Sequence, residues 1–311
     1  MPDTDRPASP RLRPTILVTG ATGNLGRELT GRLRERGARV LSLTRRPAGA
    51  HSVAGAVAGD LTDRAAMRAA LDGVDAVFLI WPLLDSAPAR GLVAELAAAA
   101  PRVVYLSSTA LDDRAVRQSD PILQVHADME TLLHNAGLRP VVLRSDTLAS
   151  NARGWVPQVR AGDVVSGPDV ARTAVVDERD VADAAAAVLL AGHAPSEHDL
   201  ADDGPCLLTG PEVLSRAEQV ERLGAALGRR LRFAAVTAGT ARSRMLADGR
   251  PAPLVEALIA ASERRPASDL TTDHVERLTG HPARSFLEWA LDHAAEFSGA
   301  DRPARVDGET P

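Results

Sequence analysis

Residues 15 to 27 read Thr15-Ile-Leu-Val-Thr-Gly-Ala-Thr-Gly-Asn-Leu-Gly-Arg27. The apolar run 15–19 has the composition of a strand buried on both faces. Gly20, Gly23 and Gly26 follow at G-x-x-G-x-x-G spacing, and leucines then recur at helical spacing. Between a strand and a helix, such glycines permit a tight turn, close approach of a pyrophosphate and packing of helix on strand. The stretch predicts a dinucleotide-binding unit; the alternative is a glycine-rich turn in an ordinary α/β protein.

The composition limits the classes of protein that fit. The chain has 311 residues, a formal net charge of −5 and one cysteine, Cys206. This charge offers no basic surface for nucleic acid, no stretch reaches the roughly 18 apolar residues of a membrane span, and one cysteine forms no internal disulfide. We therefore expect a cytoplasmic protein, a monomer or homodimer, that binds a small-molecule substrate and neither nucleic acid, membrane nor metal.

Strands and helices alternate through the first half of the chain. We predict strands at 15–19, 39–43, 54–58, 75–80, 102–106 and 140–144, and helices at 24–36, 64–71, 88–100 and 121–135. This alternation is typical of a Rossmann-type, doubly wound parallel sheet covered by helices on both faces. It indicates an α/β fold.

The regular alternation ends near residue 151. We place the Rossmann domain at 14–150, completed by about 174–192, and a smaller, mostly C-terminal α+β substrate-binding region at 151–173 and 193–298. Strands at 206–209 and 231–236, a helix at 215–227 and a final helix at 283–297 are expected there. Residues 1–13 and 299–311 are expected to be disordered tails.

The residues that leave the second strand bear on the choice of cofactor. Arg45 and Arg46 stand there, with Arg45 nineteen residues after Gly26. An acid at this place binds the 2′-hydroxyl of NAD, whereas an arginine suits the 2′-phosphate of NADP. The pair favours NADP(H), with solvated surface arginines as the alternative. Asp60, after the third strand, is placed to contact the adenine amino group.

Helix 121–135 carries the candidate catalytic histidine. His126 and Glu130 lie one turn apart on the same face. Glu130 is therefore expected to orient the imidazole or to raise its pKa. The alternative is a pair on the helix surface with a small effect on stability.

With these motifs the chain resembles the extended, atypical short-chain dehydrogenase/reductases, and in particular the NmrA-like branch that includes NADPH-dependent quinone reductases. The resemblance covers about residues 15–297. It is carried by Thr19-Gly-Ala-Thr-Gly-Asn-Leu-Gly26, Arg45, Gly59-Asp60, Tyr105-Leu-Ser107, His126-x-x-x-Glu130, Gly137, Val142-Leu-Arg144, Asn151 and Leu278-Thr-Gly-His-Pro282.

The chain departs from the wider superfamily at its catalytic pair. Typical members use Tyr-x-x-x-Lys, in which the tyrosine protonates a substrate oxygen. By alignment the tyrosine position is Ile122 and the lysine position is His126. The sequence contains no lysine, and its one tyrosine, Tyr105, lies within or at the end of the fifth strand. Catalysis by a Tyr–Lys pair is therefore excluded.

The resemblance implies a set of site residues. The cofactor-binding residues are Gly20, Thr22, Gly23, Asn24, Leu25 and Gly26 at the pyrophosphate, Arg45, Arg46, Asp60 and Leu61 at the adenosine, and Ile80, Trp81, Ser107 and His126 at the nicotinamide ribose. His126 and Ser107 are the catalytic candidates. The substrate residues are Trp81, Leu83, Ser108, Asp146, Leu148, Asn151 and Trp155.

The resemblance further implies an NADPH-dependent oxidoreductase that reduces a quinone-like or other small conjugated acceptor. Such acceptors need little acid catalysis, so the proton comes from His126, Ser107 or water. Two alternatives remain: an NADP-sensing regulatory protein without turnover, and a non-redox biosynthetic enzyme. An open pocket beside the nicotinamide favours the reductase, and a filled pocket favours the sensor.

Overall fold

We describe the fold from a computed structural model, over residues 13–45, 55–191 and 204–298. These residues form nine strands: β1 (Thr15–Val18), β2 (Arg39–Thr44), β3 (Ala56–Ala58), β4 (Ala76–Leu79), β5 (Arg102–Ser108), β6 (Val141–Ser145), β7 (Val164–Pro168), β8 (Cys206–Leu208) and β9 (Arg232–Val236). Seven of them form one sheet in the order β3-β2-β1-β4-β5-β6-β8, and every pair in it is parallel. The predicted Rossmann-type sheet is confirmed.

The described residues also form twelve helices, some of which cover both faces of this sheet. They are α1 (Asn24–Glu35), α2 (Arg64–Ala70), α3 (Ala89–Ala99), α4 (Pro121–Asn135), α5 (Val156–Ala161), α6 (Glu178–Leu190), α7 (Arg216–Leu227), α8 (Ala238–Ala247), α9 (Ala252–Arg264), α10 (His274–Thr279), α11 (Phe286–Asp292) and α12 (Ala294–Ser298), with a 3₁₀ helix at Ala149–Trp155. Helices α1 and α6 pack on one face, and α2, α3 and α4 on the other.

Strand β1 shows why the sheet is buried on both sides. Ile16 and Val18 point into the core beneath α1 and α6, whereas Leu17 points into the core beneath α2, α3 and α4. All three side chains are fully buried. Because successive residues of a strand face opposite ways, an unbroken apolar run is what a two-sided sheet requires.

Most residues beyond β6, apart from α6, β8 and α10, build a second, smaller layer. Strands β7 and β9 pair in parallel as a two-stranded sheet. A core that includes Phe286, Trp289 and Phe297 packs beside it. Helices α8 and α9 form a further small cluster through Val255 and Ile259. The predicted division into domains stays a prediction.

One sequence expectation in this layer is wrong, and one strand has no counterpart among the expected elements. The sequence pattern does not predict strand β7, because Gly167 and Pro168 lie in it and its partner β9 follows about 70 residues later. The single final helix expected at 283–297 is two helices, α11 and α12, which meet at His293.

Several predicted features fall outside the described residues. These are Arg46, most of the expected tails at 1–13 and 299–311, and the segment 192–203. Within the described part of the chain, none of the helices combines the length and the apolar character that crossing a bilayer requires.

Candidate cofactor and substrate site

The glycine turn after β1 is shaped for close approach of a ligand. Gly20 has φ +66°, a conformation that favours glycine. A Cβ on Gly26 would lie 2.1 Å from the carbonyl oxygen of Gly20, so no larger residue fits there. Among the described residues no side chain caps α1, whose N-cap is Gly23. The first amides of a twelve-residue helix therefore face outward, as an anion site needs.

The remaining residues of this motif would contact a ligand mainly through their backbone amides. Leu25 is buried, so only its amide can reach a ligand. Asn24 accepts a hydrogen bond from the Arg27 guanidinium at 3.0 Å. Thr22 is exposed on the turn. The arrangement fits the diphosphate of a dinucleotide.

Thr19 fixes the neighbouring strand end. Its hydroxyl oxygen accepts from the Ile80 amide at 2.7 Å and lies 3.2 Å from the Phe78 carbonyl oxygen. Because Thr19 follows β1 and Ile80 follows β4, this contact sets the separation of the two strand ends. Ile80, a predicted cofactor residue, is thereby held against the glycine turn, where its Cδ1 lies 3.1 Å from a Cβ built on Gly20.

Arg45 and Asp60, the two residues predicted at the adenosine, lie near enough for the charge of Arg45 to act on the Asp60 carboxylate. Arg45 is exposed directly after β2. The Asp60 carboxylate accepts from the amide and hydroxyl of Thr62 at 2.9 and 2.8 Å. These hydrogen bonds, and the charge of Arg45, lower the pKa of Asp60. Leu61 packs against the core beneath α2.

A cavity of about 200 Å³ opens at the carboxyl ends of β5 and β6. Six predicted site residues line it: Ser107, Ser108, His126, Asp146, Leu148 and Asn151. Ile122, at the position of the missing catalytic tyrosine, lines it as well. A second cavity of about 200 Å³, between residues 84–86 and 117–128, contains none of the predicted site residues.

Three predicted substrate residues do not line this cavity. Trp155 is 6% exposed, packs in the core of the smaller layer and has the Arg216 guanidinium over its ring. Trp81 is buried, and its indole donates to the Asp85 carbonyl oxygen at 3.0 Å. Leu83 is 39% exposed and lies outside the wall. These side chains have structural partners or face solvent, which corrects the expectation that they form the acceptor site.

The partner of His126 also differs from the expectation. Its Nδ1 lies 3.0 Å from the hydroxyl of Tyr105, on β5, and no hydrogen bond joins it to Glu130 within the described structure. Burial lowers the pKa of His126 to about 4, and the charge of Glu130 only partly opposes this. Glu130 thus raises the pKa of His126 as expected, but the net shift is downward. Desolvation of the imidazolium outweighs a carboxylate one turn away.

Glu130 has other partners. It accepts from the Ser107 hydroxyl at 2.5 Å and from the Arg144 guanidinium at 3.0 and 2.7 Å. Arg144 also forms a bidentate pair with Asp113 at 2.8 and 2.6 Å. The Ser107 proton is thus donated to a carboxylate on the protein, which leaves the serine oxygen as an acceptor toward the cavity.

The sequence interpretation missed the part of the cavity wall that comes from the smaller layer. It consists of Thr173, Arg265, Pro266 and Ser268. Arg265 is paired with the buried carboxylate of Asp120 at 3.2 Å. Since 145 residues separate Arg265 from Asp120, no local pattern marks the contact.

Comparisons with known proteins show the family of the chain. A family model described as NAD(P)H-binding matches residues 20–191. The chain is 36% identical to (4-alkanoyl-5-oxo-2,5-dihydrofuran-3-yl)methyl phosphate reductase of Streptomyces griseus, over 91% of this chain and 99% of that protein. It is 29% identical to NAD(P)H azoreductase of Xenophilus azovorans, over 92% of this chain and all of that protein.

A solved structure has the same fold. The NADPH complex of an NADPH-dependent quinone oxidoreductase from Escherichia coli superposes with a TM-score of 0.70 and 23% identity, covering 89% of this chain and 99% of that one.

Proposed function

This chain belongs to the NAD(P)H-binding family of NmrA-like, atypical short-chain reductases, and from that membership we propose that it catalyses the NADPH-dependent reduction of a small conjugated acceptor. The names of its relatives support this acceptor class. An oxo-dihydrofuran with an alkanoyl group, an azo compound and a quinone each contain a conjugated system that takes up a hydride. After the hydride adds, the negative charge lies on an oxygen or nitrogen atom of the acceptor.

The glycine turn and the amides of α1 would bind the pyrophosphate, and Arg45 would bind the 2′-phosphate. When bound, the cofactor supplies the hydride. The exposed position of Arg45 beside Asp60 supports NADP(H) over NAD(H), because a guanidinium pairs with a phosphate and an acid does not.

The single observation that carries the proposal is the position of the cavity. It opens at the ends of β5 and β6, on the sheet edge where the glycine turn also lies. Strands β1 and β5 are two positions apart, or about 10 Å at ordinary strand spacing. An acceptor in the cavity would thus lie within reach of a dinucleotide bound at the turn. An open cavity supports a reductase over a protein that only senses NADP.

The cavity wall contains both apolar and polar side chains, and the two kinds would contact different parts of the acceptor. Leu148 and Ile122 offer an apolar surface for a planar ring. His126 and Asn151 offer polar atoms where charge develops on the acceptor heteroatom. Ser107 keeps Glu130 in place and is not the proton source, because its hydroxyl already donates to that carboxylate.

The test is a panel of acceptors in which NADPH consumption is followed at the nicotinamide absorbance band. The panel contains quinones, alkanoyl-substituted unsaturated lactones, azo dyes and simple ketones, with NADH in parallel. We expect turnover with conjugated acceptors and none with simple ketones, which need the missing Tyr–Lys pair. Tight NADPH binding without consumption on any acceptor would contradict the proposal and favour a sensor.

A further inference from the structure

The contact between Tyr105 and His126 joins a fully buried side chain to a half-buried one, and both have few other partners. Tyr105 is 0% exposed in the middle of β5, and its hydroxyl lies 3.0 Å from Nδ1 of His126 on α4. Across the described residues neither the phenol nor the imidazole makes another hydrogen bond. The rings are tilted by 53°, with centroids 6.1 Å apart, so the contact is made by the hydroxyl and not by stacking.

The geometry decides which group donates. Of the acceptors on the described residues, only Nδ1 of His126 is within reach of the Tyr105 hydroxyl. If Nδ1 carried the proton, the buried phenol hydrogen would have no acceptor, and an unpaired buried donor is costly. Tyr105 therefore donates, Nδ1 accepts, and the imidazole proton lies on Nε2.

Burial is the main reason that both groups stay neutral. Burial, and the charge of Glu130, raise the pKa of the Tyr105 phenol, so it retains its hydrogen. Burial and the charge of Arg265 lower the pKa of His126, while Glu130 and Asp120 oppose them. The imidazolium is accordingly absent near neutral pH, and Nε2–H is the one polar group of the ring left for a ligand.

We propose that Tyr105 is a positioning residue that fixes His126 in its Nε2–H tautomer, so that His126 presents a permanent, neutral hydrogen-bond donor to the cavity. This inference rests on the proposed function for its catalytic meaning. The hydride adds to the conjugated acceptor, negative charge develops on its heteroatom, and Nε2–H stabilises that charge by a hydrogen bond. His126 does not give up this proton, because that would leave an imidazolate. The product takes its proton from water.

The first test reads the tautomer directly. In protein labelled with ¹⁵N-histidine, proton–nitrogen correlations distinguish a protonated ring nitrogen from a bare one. We expect His126 to show a bare Nδ1 and a protonated Nε2 near neutral pH, and Tyr105→Phe to show a mixture of both tautomers. His126→Gln identifies the signals, and His134→Gln, at the exposed end of the same helix, is the control. A protonated Nδ1 in the wild type would overturn the proposal, whether or not the protein turns over.

The second test distinguishes a His126 that only donates a hydrogen bond from a His126 that transfers a proton. The amide of His126→Gln retains a donor but transfers no proton, whereas His126→Leu has neither. With an acceptor that turns over, we expect kcat of the glutamine variant within about tenfold of wild type and that of the leucine variant lower by about 100-fold, the usual loss for one such donor. Equal loss in both variants would show that His126 acts as an acid.

The pH dependence completes the test. A neutral donor predicts a kcat that does not change between about pH 5 and pH 8, and a fall in kcat for Tyr105→Phe with little change in KM. A kcat that falls as the pH rises through the ordinary range of histidine would overturn the proposal. If no acceptor turns over, the proposed reductase function is contradicted. The tautomer measurement still decides the role of Tyr105.

Discussion

Arg265, immediately after α9, forms an ion pair at 3.2 Å with Asp120, the residue that caps α4. Asp120 is fully buried on its side chain, and it also accepts from the amides of Ile122 and Leu123. The Asp120 carboxylate therefore caps the helix that carries His126 and also connects that helix to the smaller layer. The cavity wall is closed from that side by the same arginine.

Replacing Arg265 by alanine should destabilise the protein. The change leaves a buried carboxylate without its cation, which costs about 1–3 kcal/mol of unfolding free energy. Urea unfolding of Arg265→Ala against Arg264→Ala, an exposed neighbour, measures this difference. Equal midpoints for the two variants would show that the pair contributes nothing.

The glycine turn gives a second prediction with an internal control. Gly26→Ala places a Cβ 2.1 Å from the Gly20 carbonyl oxygen, whereas Gly31→Ala, on the same helix, meets nothing within 4 Å. The first change should cost about 1–3 kcal/mol and abolish NADPH binding, since the turn must move. The second should leave binding intact and stabilise the helix by about 0.5–1 kcal/mol. Thermal unfolding and NADPH fluorescence titration measure both, and normal binding by the Gly26 variant would contradict the assignment.

Cofactor preference depends on Arg45. Arg45→Glu should weaken NADPH by about 1–3 kcal/mol and leave NADH nearly unchanged, because only NADPH has the 2′-phosphate. Arg39→Glu makes the same charge change at the opposite end of β2 and serves as the control. An unchanged preference for NADPH in the Arg45 variant would remove the basis for the assignment.

His126 makes stability sensitive to acid. Its pKa is about 4 in the folded protein, against an ordinary value of 6.5 that we take for the unfolded chain. Its contribution is therefore complete above pH 6.5 and is lost as the pH falls toward 4. The full loss is roughly 3 kcal/mol, because each unit of pKa corresponds to about 1.4 kcal/mol. His126→Gln does not titrate and should not show this loss. Urea unfolding of both proteins at several pH values tests it, and parallel stability curves would show that burial has not lowered the pKa of His126.

The main sheet could be predicted from the sequence because each of its strands is a local apolar run. The six strands and four helices expected before residue 151 are present, with ends shifted by at most two residues. Strand β7 could not be predicted in this way, because what makes it a strand is its partner β9, far along the chain.

The sequence predicted those site residues that come directly after a strand. It did not predict contacts between residues that are far apart in the chain. Ser107 and Asp146 follow strand patterns, and both line the cavity. Helical spacing predicted a contact between His126 and Glu130. In the structure, Arg144 and Ser107, which lie on two different strands, donate hydrogen bonds to the Glu130 carboxylate. The sequence places Tyr105 within or at the end of β5, and only the packing of α4 over that strand brings its hydroxyl to the imidazole.

The most direct test of the central claim is the stoichiometry of one anaerobic reaction, in which NADPH oxidised and acceptor reduced are counted together. We expect one NADPH per two-electron reduction in the wild type. In Thr173→Trp, whose side chain would fill the cavity from the smaller layer, we expect unchanged NADPH binding and loss of turnover. Binding of NADPH with no acceptor reduced, or turnover that persists with the cavity filled, would contradict the account.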